Sequence, residues 1–133
     1  MRLITTFAVL SVAVMAFAAD EPADTPAAAK TKKLLKTKIK EIEWKDTRLE
    51  DAMNELKEEV KGLFIHLDRK GGVSANRKVN VKVKNKTVEE ILNAVCDDLR
   101  GVGWVLVSKK GDTYDGNIFL KIGNARGSEK KKE

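Results

Sequence analysis

Residues 42–67, with the sequence IEWKDTRLEDAMNELKEEVKGLFIHL, decide the fold because they recur, without a gap, 39 residues later as residues 81–106, VKVKNKTVEEILNAVCDDLRGVGWVL. Five positions are identical: Lys45/Lys84, Glu50/Glu89, Asn54/Asn93, Gly62/Gly101 and Leu67/Leu106. The apolar pattern also agrees, and it carries more weight than the identities. The matched apolar pairs are Ile42/Val81, Trp44/Val83, Leu49/Val88, Met53/Leu92, Leu56/Val95, Val60/Leu99 and Leu63/Val102. Self-similarity of this kind predicts two copies of one supersecondary unit.

Each copy has the pattern of a strand, a helix and a return strand. Alternating apolar and polar residues, as at Val79, Val81 and Val83, predict the first strand. Apolar residues at helical spacing follow, and a glycine ends each helix. Return strands are predicted at residues 63–67 and 104–108, and a last strand at 117–122 is predicted to form a hairpin with the second of them.

Capping residues mark the predicted helix starts. Thr87 is followed three residues later by Glu90, which predicts a capping box in which each side chain bonds the backbone of the other residue. In the first copy, Asp46 or Thr47 is the predicted cap. The apolar stripes behind these starts place Leu56 and Leu92 in the core.

Helices with one apolar stripe must cover the apolar face of a sheet. We therefore predict an α+β fold at residues 38–123. It is a two-layer domain of two βαβ-type repeats plus a C-terminal strand, with the helices packed on small mixed sheets.

The two ends of the chain have different compositions from the repeat. A basic start, an apolar run and Ala16-Phe17-Ala18 predict a signal peptide at residues 1–18, cleaved near Ala18/Ala19, with an uncleaved anchor as the alternative. Residues 19–37 are predicted to be a disordered linker rich in Pro, Ala and Lys, and residues 124–133 a charged, disordered tail. The expected location is therefore periplasmic or secreted, with no stable membrane span once the signal is cleaved.

The net charge of the chain narrows the classes of molecule that it could bind. The chain has 26 Lys and Arg against 20 Asp and Glu, a formal charge of +6. In an exported protein this favours envelope proteins or an envelope polyanion, and nucleic acid is not expected.

Cys96 is the one cysteine in the sequence, so an internal disulfide is excluded. Its thiol is expected to be a small buried side chain.

The repeat resembles the secretin and TonB short N-terminal domain, known as the STN domain, and the related C-terminal domain of FecR-type regulators. The positions that carry the resemblance are Leu49, Ala52, Met53, Leu56, Val79, Val81, Val83, Thr87, Glu89, Glu90, Ile91, Leu92, Trp104 and Ile118. The resemblance implies a small periplasmic domain that makes protein–protein contacts ahead of an outer-membrane channel, although no channel follows in this chain. A ferredoxin-like strand order is an open alternative.

The sequence offers little for catalysis. His66 is the only histidine, and the motifs HExxH, GxSxG and CxxC do not occur. We therefore expect no enzyme activity, no cofactor and no metal site. An RNA-recognition domain would share the element order, but its basic aromatic motif is missing.

Two binding hypotheses remain from the sequence. The first is a docking module that uses an exposed strand edge or the free face of a sheet. The second is a basic module that binds an anionic envelope polymer or anionic lipid head groups. The candidate partner-binding residues are Lys78, Asn80, Lys82 and Lys84, which would form a stripe opposite the valines of one strand.

Overall fold

The computed structural model describes residues 24–130, so the predicted signal peptide lies outside the described residues. The elements in chain order are α1 (Pro26–Leu35), β1 (Lys38–Arg48), α2 (Leu49–Glu59), β2 (Ile65–Leu67), β3 (Lys78–Thr87), α3 (Val88–Leu99), β4 (Val102–Ser108), β5 (Ile118–Ile122) and β6 (Arg126–Lys130). The strand–helix–strand order of both predicted copies is present, as is the antiparallel pairing of β4 with β5.

The first strands of the two copies, β1 and β3, pair with each other as a two-stranded antiparallel ribbon. Glu43 lies opposite Lys82, and these two residues are equivalents in the 39-residue repeat. The pairs on either side, Ile42 with Val83 and Trp44 with Val81, exchange under the same shift. The ribbon therefore has an approximate two-fold axis between Glu43 and Lys82.

Both ribbon strands are irregular at equivalent positions near their helices. Asp46 and Asn85 have φ angles of 48° and 53°, in the left-handed region that Asp and Asn tolerate better than most residues. The predicted cap of α2 at Asp46 or Thr47 is wrong. The N-cap is Arg48, whose guanidinium has no acceptor atom and makes no side-chain cap bond. Asp46 lies two residues earlier, in the irregular turn. The capping box of Thr87 and Glu90 on α3 is confirmed.

The return strands lie in a separate four-stranded sheet of order β2-β5-β4-β6. β2 is parallel to β5, β4 is antiparallel to β5, and β6 is parallel to β4. The strands are thus divided between two sheets, unlike the single sheet of a ferredoxin-like fold.

Helices α2 and α3 contact strands of both sheets, and their apolar stripes form the centre of the core. Leu56 and Leu92 are fully buried, as predicted, and Trp44 faces the same core. The α+β class, with helices packed on small mixed sheets, is confirmed.

The prediction that residues 19–37 are disordered is wrong for α1. Thr25 caps this helix by accepting a hydrogen bond from the Ala28 amide, and proline occupies its first turn. The Thr31 hydroxyl donates to the Gly116 carbonyl at 2.6 Å, and Leu35 is buried. Leu34 and Leu35 are the only large apolar residues of this helix, so long-range contacts decide the structure here.

The predicted disordered tail is likewise wrong at β6, which pairs along β4 from Trp104 to Ser108. The close approach of Ala125, just before β6, to β4 depends on Gly103, where an added Cβ would lie 2.3 Å from the Ala125 carbonyl oxygen. Absence of a side chain at this position allows the chain before β6 to come against β4.

Candidate docking site

The four predicted partner-binding residues, Lys78, Asn80, Lys82 and Lys84, all lie exposed on one face of β3. They do not form an isolated basic stripe. Lys82 Nζ lies 3.9 Å from a Glu43 carboxylate oxygen, and Lys84 is opposite Glu41 in the ribbon. The acidic residues of β1 therefore offset part of the positive charge on which the polyanion hypothesis depends.

Asn80 has a structural task within this group. Its side-chain Oδ1 accepts from the Asp46 amide at 3.0 Å, which fixes the irregular turn of β1. Its own backbone amide donates to Asp98 Oδ2 at 2.9 Å. A side chain of α3 therefore occupies part of the outer edge of β3, which makes that edge a poor template for another strand.

The reactive side-chain types are dispersed or buried. His66 stacks near Phe119 and Tyr114, with ring centroids 4.9 and 5.4 Å away, and its Nε2 lies 3.0 Å from Asn117 Nδ2. Burial, with a smaller contribution from Lys57, lowers the pKa of His66. Cys96 is buried, and within residues 24–130 no group of three His, Cys, Asp or Glu side chains is placed to hold a metal ion.

The most informative feature is the outer edge of β4, which β6 covers. The Trp104 amide donates to the Ala125 carbonyl at 2.9 Å, and Trp104 pairs with Arg126 in the parallel register. In a parallel ladder this register also joins the Gly127 amide to the Trp104 carbonyl and the Leu106 amide to the Gly127 carbonyl. Because the register continues to Ser108, β6 uses the amide and carbonyl of both Trp104 and Leu106 and also the amide of Ser108.

The equivalent edge of β2 is open. The Ile118 amide donates to the Phe64 carbonyl, and Ile65 pairs with Ile118, so the backbone of His66 points toward β5. The amide and carbonyl of Ile65 and the amide of Leu67 therefore point away from the sheet. Ile65 and Leu67 are the repeat equivalents of Trp104 and Leu106, and among residues 24–130 no strand pairs with this edge.

A concave region adjoins each of the two edges. The cleft beside β4, of about 470 Å³, is closed in part by α1 and β6, and the hollow beside β2, of about 250 Å³, lies against α2. Four lining positions are repeat equivalents: Glu50/Glu89, Asn54/Asn93, Ile65/Trp104 and Leu67/Leu106. The two concavities are thus two versions of one site, and within residues 24–130 only the second is covered by an added strand.

Asn93 in the cleft and Asn54 in the hollow show the difference between the covered and the open site. Asn93 Oδ1 accepts from Trp104 Nε1 at 2.8 Å and from Arg126 Nη1 at 3.4 Å, so it joins α3 to β4 and β6. Both partners are donors, which fixes the orientation of the amide. The side chain of Asn54 has no hydrogen bond to any residue in the range 24–130. Its amide is available at the open site.

The hollow and the cleft are both lined with positive charge, which in the cleft comes from Lys32, Lys36 and Arg126 and in the hollow from positions of the repeat itself. Lys57 and Arg69 line the hollow, where the repeat equivalents are the uncharged Cys96 and Ser108. Glu50 supplies the one carboxylate of the lining, and it is held at 3.4 Å by both Arg69 and Arg48. Lys57 has no acidic partner within ion-pair distance in the described part of the chain, so the hollow has an excess of positive charge.

The sequence pairs Glu50 with Glu89, where the helix dipole accounts for both carboxylates, and Asn54 with Asn93, for which it indicates no role. The identity of Asn54 and Asn93 is a signal in the sequence, because a hydrophobic core does not require the same polar residue at both positions. The sequence does not indicate β6, because the polar residues 124–133 have the composition of a disordered tail.

No family model, no curated protein and no solved structure matches this chain. Within residues 24–130 no helix has the length and apolar character needed to cross a membrane.

Proposed function

We propose that the protein is an exported, non-catalytic docking module of the cell envelope that accepts a strand from a partner protein at the outer edge of β2. One observation carries the proposal: β6 covers, on β4, the edge whose repeat equivalent on β2 is open. The resemblance to the periplasmic N-terminal domain of secretins and TonB-dependent receptors supports the same class of function.

The geometry suits strand addition because it offers both parts of that recognition mode. The outward amides and carbonyl of Ile65 and Leu67 would form main-chain hydrogen bonds with an extended segment. The hollow beside them would take alternate side chains, which gives specificity. Three backbone groups make a short edge, so the added segment is expected to gain much of its affinity from the hollow.

The other exposed edges carry features that oppose strand addition. Seven of the eleven residues of β1 are charged, and Asp46 interrupts the strand with a positive φ. Asp98 occupies part of the edge of β3. Charges, irregularities and covering side chains are the usual means of protecting an edge.

The test uses residues 19–133 as bait in a native envelope extract, at about 0.05 M and about 0.3 M salt. The blocking variant is Asn54→Trp, which fills the hollow from an exposed position of α2, and its matched control is Glu59→Trp, at an exposed position of the same helix that does not line the hollow. We expect one discrete protein that is retained at the higher salt by the wild type and the control and lost with Asn54→Trp. In the complex, the amides of Ile65 and Leu67 should exchange more slowly with solvent.

Two results would contradict this proposal. Capture that is unaffected by Asn54→Trp, with unchanged exchange at Ile65 and Leu67, would exclude the edge of β2. Recovery of polyanionic material alone, lost at the higher salt or with Lys82→Glu/Lys84→Glu, would favour the electrostatic alternative.

A further inference from the structure

We infer that the segment added at β2 carries an aspartate or glutamate, whose carboxylate enters the hollow and pairs with Lys57 and Arg69. The inference rests on the proposed strand addition and specifies the chemistry of the partner.

The charges around the hollow support this choice of partner. Lys57 comes from α2 and Arg69 from the turn after β2, so two cations approach the hollow from separate elements. The only carboxylate of the lining, Glu50, is shared between two arginines. A carboxylate from outside would provide the acidic partner that Lys57 lacks within residues 24–130, through a charge-assisted hydrogen bond.

The pKa of His66 responds to the charge of the hollow, because His66 lies within the field of Lys57. His66 is one of the residues lining the hollow, together with Lys57 and Glu50 of α2 and Arg69, and Tyr114 packs on its ring from the β4–β5 loop. On the outer sheet face Lys121 is two residues from Phe119, the neighbour of His66 on β5. The field of Lys57 contributes to the lowered pKa of His66, so a carboxylate beside Lys57 should raise that pKa.

The completed site in the second copy shows which charges an added strand meets. There the added strand brings Arg126, whose Nη2 lies 2.9 Å from Asp97 Oδ1 and whose charge acts on Cys96. The equivalent of Cys96 in the first copy is Lys57. An arginine in this register would lie near Lys57 but also near Glu58, the equivalent of Asp97, so the preference for an acidic segment rests on Lys57 and Arg69 in the hollow and not on this comparison.

The probes are two soluble peptides of alternating sequence, Val-Glu-Val-Glu-Val and Val-Lys-Val-Lys-Val, and a third that is the first with alternate amides N-methylated. Binding is followed on residues 19–133 by the amide resonances of Ile65 and Leu67. The imidazole resonances of His66 report independently, since the chain has one histidine. The indole resonance of Trp44, which bonds Glu55 away from the hollow, is the internal reference.

We expect the glutamate peptide to bind at least about fivefold more tightly than the lysine peptide, the scale of two partly exposed ion pairs. Binding should shift the amide resonances of Ile65 and Leu67 and raise the pKa of His66. Lys57→Gln should weaken it about twofold to threefold, whereas Lys61→Gln, the same charge change at an exposed residue outside the hollow, should not.

The outcomes separate the two proposals. Equal shifts of Ile65 and Leu67 by both charged peptides, unaffected by Lys57→Gln, would overturn the acidic partner and leave strand addition standing. N-methylation removes the main-chain donors that strand addition needs. If the N-methylated peptide binds as tightly as the unmethylated glutamate peptide and Lys57→Gln still weakens its binding, the acidic group is supported and strand addition is overturned. Equal weakening by Lys61→Gln, or no shift at millimolar peptide, would overturn the acidic inference.

Discussion

The pairing of β6 with β4 can be tested by adding one methyl group at Gly103. The new Cβ would lie 2.3 Å from the carbonyl oxygen and 2.7 Å from the nitrogen of Ala125, and both are backbone atoms that cannot rotate away. Overpacking typically costs about 1–3 kcal/mol. The hydrogen bond from the Trp104 amide to Ala125, worth about 1 kcal/mol, would also be strained or lost. We expect Gly103→Ala to lower the free energy of unfolding by about 2–4 kcal/mol.

The matched control is Gly71→Ala, where the added Cβ would lie 2.1 Å from Asp68 Oδ2. That oxygen ends a flexible side chain, so the expected cost is below about 1 kcal/mol. Urea denaturation measures the free energies, and amide exchange at Gly127, the residue bonded to Trp104 across the ladder, reports on β6 itself. If Gly103→Ala keeps the wild-type stability and the Gly127 amide exchanges freely already in the wild type, β6 does not pair with β4 as described. The repeat argument for the open edge of β2 would then lose its basis.

Three further predictions concern the core and the titrating groups. Leu92→Ala should cost about 2–5 kcal/mol in urea denaturation, because Leu92 is fully buried, and a loss below about 0.5 kcal/mol would contradict its place in the core. Burial raises the pKa of Cys96 to about 11, so at about pH 8 an alkylating reagent should modify the native thiol at least about 100-fold more slowly than the unfolded one. A native rate near the unfolded rate would show that Cys96 is accessible. Burial, and then Lys57, lowers the pKa of His66 in the folded state, so the unfolded chain takes up more protons and stability falls as the pH drops through about 6.5. His66→Gln should reduce the stability lost between about pH 7.5 and about pH 5.5, and an unchanged loss would exclude His66 as a cause.

The repeated part of the fold could be predicted from sequence because its signals are local. Alternation placed β3, helical spacing placed α2 and α3, and Thr87 with Glu90 marked a helix start that the structure confirms. The start of α2 was mispredicted because Asp46 is a good cap by type but is held in the left-handed region by the ribbon and Asn80.

The non-repeated elements could not be predicted because their stability comes from distant contacts. α1 is tied to the rest of the fold by the bond from Thr31 to the Gly116 carbonyl, 85 residues away, and by Leu35 in the core. β6 has a polar sequence, and its strand conformation depends on the edge of β4 and on the missing side chain at Gly103. Neither contact leaves a periodic pattern in the sequence.

The difference between the two copies, rather than their likeness, locates the candidate site. Asn93 is needed where it stands, because its amide joins the indole of Trp104 to Arg126. Asn54 occupies the equivalent place beside an edge with the same free backbone groups, yet within residues 24–130 nothing bonds its side chain. Core packing gives no reason for an exposed amide at this position, since Asn54 lies outside the buried set. If a partner strand completes the first copy as β6 completes the second, Asn54→Ala should cost affinity in the complex and leave the stability of the free protein unchanged. A loss of stability in the free protein would assign Asn54 to the fold instead.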